Sequence, residues 1–231
     1  MDGVDRIAVR LDSSWPRAES QWTFAPHAQP THVLSWEDFS QPIRLRSANG
    51  GTREWHSAVD ALNWLEASVR EPPFQNGRWV GFLSYDLGRI FEDLPAQAKD
   101  DLRLPLLVFS FHPNAGRALP AADGVGGQCP PYVSMSEFEQ IVSTFARPQY
   151  LCAIRRAMQY IAAGDIFQVN LSHRITVPQR AAVRSIYDHL LRATPARYGA
   201  FLDYGDFALI CNSPELFLPC GPTEKQAGGA S

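Results

Sequence analysis

The stretch from Tyr150 to Pro178, YLCAIRRAMQYIAAGDIFQVNLSHRITVP, decides how the chain is read. Leu151, Ile154, Met158 and Ile161 recur at i, i+3, i+7 and i+10, one face of a helix, with Arg155, Arg156 and Gln159 on the other face. Gly164 follows where a left-handed residue closes a helix, because glycine has no Cβ to clash there. The period then drops to two. Phe167, Val169, Leu171, Ile175 and Val177 alternate with Gln168, Asn170, Ser172, Arg174 and Thr176. This predicts a helix, a one-residue hinge and a long strand with one buried face, ended by Pro178, which has no N–H for a ladder. The polar row of such a strand is either solvated or the wall of a ligand site. In the second case Gln168, Asn170 and Arg174 suit a polar small molecule bearing carboxylates, which arginine grips with two parallel hydrogen bonds.

Working outward, the bulk numbers describe an ordinary globular chain. Its 231 residues are 45% hydrophobic and 19% charged, with a net charge of −3. No basic surface argues for nucleic acid or an anionic membrane. The N-terminal residues are mixed and charged, unlike a secretory signal, and no apolar run is long enough for a membrane span. Cys129, Cys152, Cys211 and Cys220 show no metal or redox spacing and read as reduced thiols of a cytoplasmic protein. Lysine is confined to Lys99 and Lys225.

Toward the N-terminus, Val4 to Leu11 suggests a first strand, and Thr31 to Leu45 short strands broken by Pro42. Asn49-Gly50-Gly51 is a hairpin signal. Ser57 to Val69 predicts a helix capped by Ser57, with Val59, Leu62, Leu65 and Val69 on one face, ended by Pro72 and Pro73. Trp79 to Tyr85 predicts a strand in which Gly81 marks a close backbone approach, and Tyr85 reads best as a buried tyrosine with a partnered hydroxyl. Leu104 to Phe111 is a further apolar strand. From Pro113 to Pro131 the composition turns to Pro, Gly, Ala and Asp; Gly124-Val125-Gly126-Gly127 lacks the pattern of a phosphate loop and reads as surface connection.

Toward the C-terminus, Ser134 to Thr144 suggests a short helix. Ser185 to Arg192 suggests another, with Ile186, Leu190 and Leu191 inward. Asp203 to Phe207 reads as a hairpin around Gly205 leading into a strand at Phe207 to Ile210. After Leu218 the chain is a Gly/Ala/polar tail with no core face.

These stretches carry a resemblance. Ala163-Gly164-Asp165-Ile166-Phe167-Gln168-Val169-Asn170-Leu171 resembles the GD-[IC]-[FY]-Q-V-N-L run of aminodeoxychorismate synthase component I, and anthranilate synthase component I carries a similar one. Pro73 to Arg89 resembles the family's PF-x-G-G-x-x-G-Y-L-[GS]-Y-[DE]-L-G-R. Leu11-Asp12-Ser13 resembles its LL-E/D-S motif, Trp22-Thr23-Phe24 its Tyr-Ser-Phe, and Thr194 to Leu202 its N-P-[AS]-P-[YF]-x-[AF]-[YF]-[LM]. Ser213 to Leu218 resembles SSPERFL. Gln21, Thr194, Arg197 and Leu216 depart from the family's arginine, asparagine, proline and arginine.

The resemblance implies an α+β fold of anthranilate-synthase type, antiparallel sheets packed together with outer helices, here incomplete at the C-terminus. It implies an N-terminal-like region at 1–112, a linker or loop at 113–133, the start of a chorismate-binding domain at 134–218 and an unstructured tail at 219–231. It implies a pocket for tryptophan formed by Leu11, Asp12, Ser13, Trp22, Thr23, Pro195, Ala196 and Tyr198, and a substrate-facing role for Gln168, Asn170 and Arg174. In the family the 4-hydroxyl of chorismate is replaced by ammonia delivered from a glutamine amidotransferase partner, with Mg²⁺, toward 4-aminobenzoate and folate. The family's later segments, with the catalytic lysine, the glutamates that hold Mg²⁺ and the glycine-rich carboxylate loop, find no counterpart here. Lys225 has the wrong flanks for the lysine, so no catalytic or metal-binding residue is assigned. The expectation is a truncated synthase, left with open strand edges, poorly soluble or dimeric, and inactive alone. An anthranilate synthase fragment and a non-catalytic module binding an aromatic amino acid or a partner subunit are the alternatives.

Overall fold

A computed structural model describes residues 7–13, 22–24, 29–95, 99–113, 119–120 and 141–216. The chain divides into two compact units, 1–126 with 186–231, and 127–185.

The first unit is built on two antiparallel sheets. One is formed by β3 (His32–Trp36), β4 (Ile43–Ser47), β5 (Thr52–Trp55), β6 (Gly77–Leu83) and β7 (Leu107–Pro113), in the order β5-β4-β3-β7-β6. The turn at Asn49-Gly50-Gly51 joins β4 to β5 as the expected hairpin, with Ile43 opposite Trp55. β3 and β7 are apolar at successive positions because they are covered on both faces. Leu34 and Leu107 point to one side, into a cluster with Trp36, Ile43, Leu45, Trp55, Ala58 and Ala61. Their neighbours Val33 and Val108 point to the other side, into a cluster with Val80, Ile7, Val9, Leu202 and Tyr204.

That second cluster joins the two sheets. The second sheet runs β12-β11-β1-β2-β8, from β1 (Ala8–Ser13), β2 (Trp22–Phe24), β8 (Leu119–Pro120), β11 (Tyr198–Asp203) and β12 (Ala208–Ser213). Val9 of β1 and Ile7 just before it face the first sheet, so Arg10 and Asp12 fall on the opposite face, by the two-residue period of a strand. Two helices lie outside the sheets. Helix α1 (Ala58–Ser68) covers the first; its cap is Ser57, whose Oγ accepts the Asp60 N–H at 3.2 Å. Helix α3 (Val183–Ala193) covers the second through Tyr187, which packs on Phe201 with ring centroids 5.4 Å apart.

Several local expectations are corrected. On α1 the inward stripe is Ala58, Ala61, Leu62, Leu65 and Ser68, whereas Val59 and Val69 are exposed. Trp64 packs against this cluster too, and its bulk beside Trp55 turns the helix away from the valines. On α3 the buried residue is Tyr187, and Ile186 is exposed. Tyr85 is 96% exposed, because the chain leaves β6 into a short 3₁₀ turn, Tyr85–Ile90, that buries Leu87 instead. The side chain of His32 sits edge-on to Phe74 at 4.9 Å. Burial there lowers its pKa below the ordinary 6.5. A base with a depressed folded pKa takes up its proton more readily when unfolded. Its contribution is therefore intact above about pH 6.5 and is lost as the pH falls toward the folded value. Urea midpoints are expected to drop between about pH 7.5 and about pH 5.5, and less so in His32→Gln, measured by circular dichroism.

The second unit holds helix α2 (Arg147–Ala163) and a minimal ribbon of β9 (Val142–Ser143) with β10 (Ile175–Thr176). Helix α2 begins where Gln149 Oε1 accepts the Ala146 N–H at 3.0 Å. It ends at Gly164, whose φ of 81° is the left-handed conformation that only glycine adopts without cost. The long strand expected after it is not formed. Only Ile175 and Thr176 join a strand ladder, and Phe167 is 94% exposed. Alternation of side chains gives a strand two faces but no ladder, and without a ladder the segment stays irregular. The short helix expected at 134–144 is replaced at its end by β9; residues 134–140 lie outside the described residues, as do Gly124 to Gly127 and the tail after Leu216. Among the described residues no helix is long and apolar enough to cross a membrane.

Candidate functional site

The cluster with the most chemistry surrounds Asp12, on the α3-facing side of the second sheet. Strand β1 lies between β2 and β11, and its register sets Asp12 opposite Thr23 on one side and Gly199 on the other. Leu11 lies opposite Phe24 and Ala200, and Ser13 opposite Trp22. Pro195 and the buried Ala196 lie one residue, Arg197, before Tyr198, the first residue of β11. The fold therefore gathers Leu11, Asp12, Ser13, Trp22, Thr23 and Tyr198 onto three adjacent strands, with Pro195 and Ala196 at their rim. Arg197 is exposed.

Asp12 is only 3% exposed. Its Oδ2 accepts from Arg10 Nε at 2.7 Å and from the Tyr187 hydroxyl, also at 2.7 Å. Burial works to lower the pKa of the Arg10 guanidinium, but the hydrogen bond and the charge of Asp12 outweigh it and hold that pKa above its ordinary value. Gly199 makes the tyrosine's approach possible: a Cβ there would lie 3.1 Å from the Tyr187 hydroxyl, 3.2 Å from Leu191 Cδ2 and 3.3 Å from the Asp12 carbonyl oxygen. A carboxylate held in this way braces β1, β11 and α3 against one another. It shapes a wall. Arg10 and Tyr187 escape a sequence reading that follows the motif alone. Their signals are the same-face spacing of Arg10 and Asp12 in a strand and the i, i+3, i+4 stripe of Tyr187, Leu190 and Leu191.

In the second unit Gln168, Asn170 and Arg174 are exposed and do not share a strand. Arg174 borders the ribbon, exchanging backbone bonds with Thr144: its N–H donates to Thr144 Oγ1 at 3.0 Å and its carbonyl accepts the Thr144 N–H at 3.0 Å.

Two Ser–His contacts invite comparison with a nucleophile and its base. Ser110 Oγ lies 2.9 Å from His112 Nε2 and donates to the Val80 carbonyl at 3.1 Å. Ser143 Oγ lies 2.6 Å from His173 Nε2 and donates to the Phe145 carbonyl at 2.7 Å. A hydroxyl has one proton. In each pair the serine oxygen is shared between the imidazole and a backbone carbonyl. Both pairs hold the backbone. Among the described residues no group of three or more His, Cys, Asp or Glu stands together that could hold a metal ion.

Against known proteins, residues 20–221 match the pattern of the chorismate binding enzyme family. The chain is 33% identical over 195 residues to aminodeoxychorismate synthase component 1 of Bacillus subtilis, covering 72% of this chain and 41% of that protein. It is 36% identical over 179 residues to anthranilate synthase component 1 of Thermus thermophilus, covering 67% and 38%. Aminodeoxychorismate synthase component 1 of Escherichia coli is 29% identical over 174 residues, covering 67% and 37%. The chain thus spans well under half the length of these relatives.

Proposed function

Because the chain belongs to the chorismate binding enzyme family, we propose that it forms part of an aminodeoxychorismate synthase component 1. In that reaction ammonia, supplied by a glutamine amidotransferase, displaces the 4-hydroxyl of chorismate as water and leaves 4-amino-4-deoxychorismate. The observation that supports the reading is the strand arrangement around Asp12, where the segments resembling the tryptophan pocket lie on neighbouring strands. On this reading Asp12, locked by Arg10 and Tyr187, sets the wall of an effector pocket in the first unit. In the second unit the Arg174 guanidinium pairs with a substrate carboxylate, with Gln168 and Asn170 as further polar contacts. Mg²⁺, when bound to the complete enzyme, offsets the charge of the substrate carboxylate and the departing hydroxyl. The setting is cytoplasmic.

The similarity to an anthranilate synthase component 1 at 36% identity favours a second reading in which the product is anthranilate. Any turnover would separate the two on one assay. The purified chain is incubated with chorismate, ammonium and Mg²⁺, and both products are followed by chromatography. No turnover by this chain alone is expected. Formation of 4-amino-4-deoxychorismate would overturn the inactivity, and formation of anthranilate would overturn the first reading altogether. Titration calorimetry with L-tryptophan tests the pocket, and absence of heat at any concentration removes it.

A further inference from the structure

Helix α3 stops where its sequence requires. Thr194 precedes Pro195, whose ring disfavours the helical conformation in the residue before it and which brings no N–H of its own. Thr194 still closes the last turn. Its N–H donates to the Leu190 carbonyl at 2.9 Å, and its hydroxyl donates to the same carbonyl at 3.2 Å. Its own carbonyl is one of the acceptors that a helix C-terminus leaves without a partner inside the helix. The side chain that meets it comes from β12. Asn212 Nδ2 donates to the Thr194 carbonyl at 2.6 Å and to Thr194 Oγ1 at 3.1 Å.

This contact fixes which way the amide faces. A carbonyl oxygen only accepts, so the end of Asn212 turned toward Thr194 is the nitrogen. The oxygen end is turned elsewhere, and among the described residues Asn212 Oδ1 is buried with no hydrogen-bond partner. A buried acceptor left so is destabilising. A serine at 212 would avoid that penalty and would lose the reach to Thr194. Both ends of the contact also depart from the patterns quoted above. Thr194 stands at the asparagine of N-P-[AS]-P, and Asn212, one place before Ser213, stands at the first serine of SSPERFL. Amide and hydroxyl have changed places across a single contact.

The contact reaches the candidate site directly. Asn212 lies opposite Gly199 on β11, and Gly199 lies opposite Asp12 on β1, so the three form one row across the sheet. The connection of Pro195, Ala196 and Arg197 is held at one end by Asn212, through Thr194, and at the other by Tyr198, paired with Ser213. We propose that Asn212 is a positioning residue of the effector pocket. It clamps Thr194 to β12 and thereby sets the connection that carries Pro195 and Ala196 to the pocket's rim. The clamping amide comes from the strand here, in place of one at the helix end. Positions 194 and 212 then act as one unit: losing the amide at 212 releases the rim, and supplying one at 194 restores it with the ends reversed. The proposal rests on the reading of that pocket given above.

Titration calorimetry with L-tryptophan on the full chain tests it. Asn212→Ser is expected to weaken binding about tenfold, the scale of one or two lost hydrogen bonds. Adding Thr194→Asn to that variant is expected to bring the affinity back toward wild type. Circular dichroism at the titration temperature establishes that each variant is folded, so that a loss of overall stability does not enter the affinity. Should Asn212→Ser fail to fold, Thr194→Val carries the test: it loses only a hydroxyl at an exposed position, and weaker binding is expected. Unchanged affinity in the folded variants overturns the proposal and leaves the pocket standing. A double variant no better than Asn212→Ser overturns the exchange of ends. No heat with the wild-type chain removes the pocket itself, and the proposal with it.

Discussion

Gly81→Ala is expected to leave little folded protein. Gly81 lies in β6 opposite Phe109 of β7. A Cβ built on it falls 1.9 Å from the Val108 carbonyl oxygen and 2.7 Å from Phe109 Cα. These are backbone atoms of a strand paired on both sides, and Val108 is fully buried, so no side-chain rotation relieves the overlap. Either β6 moves away from β7 and the edge of the sheet opens, or β7 moves and disturbs both cores. Overpacking with room to relax costs about 1–3 kcal/mol, and a clash with fixed backbone belongs at or beyond the top of that range. With the whole stability of a domain at about 5–15 kcal/mol, Gly81→Ala removes a large share of it. Chemical denaturation of the variant beside wild type measures the loss. A change under about 1 kcal/mol would show that the strands are not paired in this register.

The second large effect is expected at Asp12. Asp12→Ala removes the acceptor shared by Arg10 and Tyr187, so a half-buried guanidinium and a buried hydroxyl both lose that hydrogen bond. Deleting one member of a fully buried charged pair costs about 3–5 kcal/mol; the Arg10 guanidinium keeps some water, which places this loss at or below the foot of that range. Tyr187→Phe deletes one hydrogen bond to a charged acceptor and is expected to cost about 1.5–3 kcal/mol. The two substitutions act on one contact, so their effects will not add. The double variant should be little worse than Asp12→Ala, and the cycle isolates the coupling. Full additivity of the two losses in denaturant melts would mean that Tyr187 and Asp12 do not touch.

The parts of the fold that could be read in the residues are those in which local chemistry decides the outcome. Gly164 closes α2 because the position needs a left-handed residue, and Ser57 caps α1 because its hydroxyl reaches the Asp60 amide. Gly81 signals close strands because nothing larger fits. The misses arise where the outcome depends on a distant partner. The alternation from Phe167 to Val177 is real, yet a strand also needs a neighbour, and only Ile175 and Thr176 have one. The inward face of α3 is decided by which side chain reaches the sheet, and Tyr187 wins over Ile186 because Asp12 offers it a hydrogen bond. Likewise Tyr85 turns outward because Leu87 takes the core position. At the candidate site, the motif residues fall on adjacent strands, but the brace between Asp12 and Tyr187 joins positions far apart in the chain and is not visible locally.

The order of the strands has a consequence for how the protein emerges from the ribosome. The sheet of β3 to β7 is drawn from residues 32–113, so all of its strands are available early in synthesis. Strand β1, made before any of them, is central in the other sheet, and its register partner on β11 lies roughly two hundred positions downstream. During translation β1 must therefore wait, with Ile7 and Val9 waiting for Leu202 and Tyr204, while a finished neighbour stands beside it. The nascent chain passes through a stage in which one half-core is closed and the other is an exposed apolar strip. At that stage holding chaperones and proteases compete for it. A slower ribosome near the codons for β11 would lengthen that window, and faster delivery of those residues would shorten it.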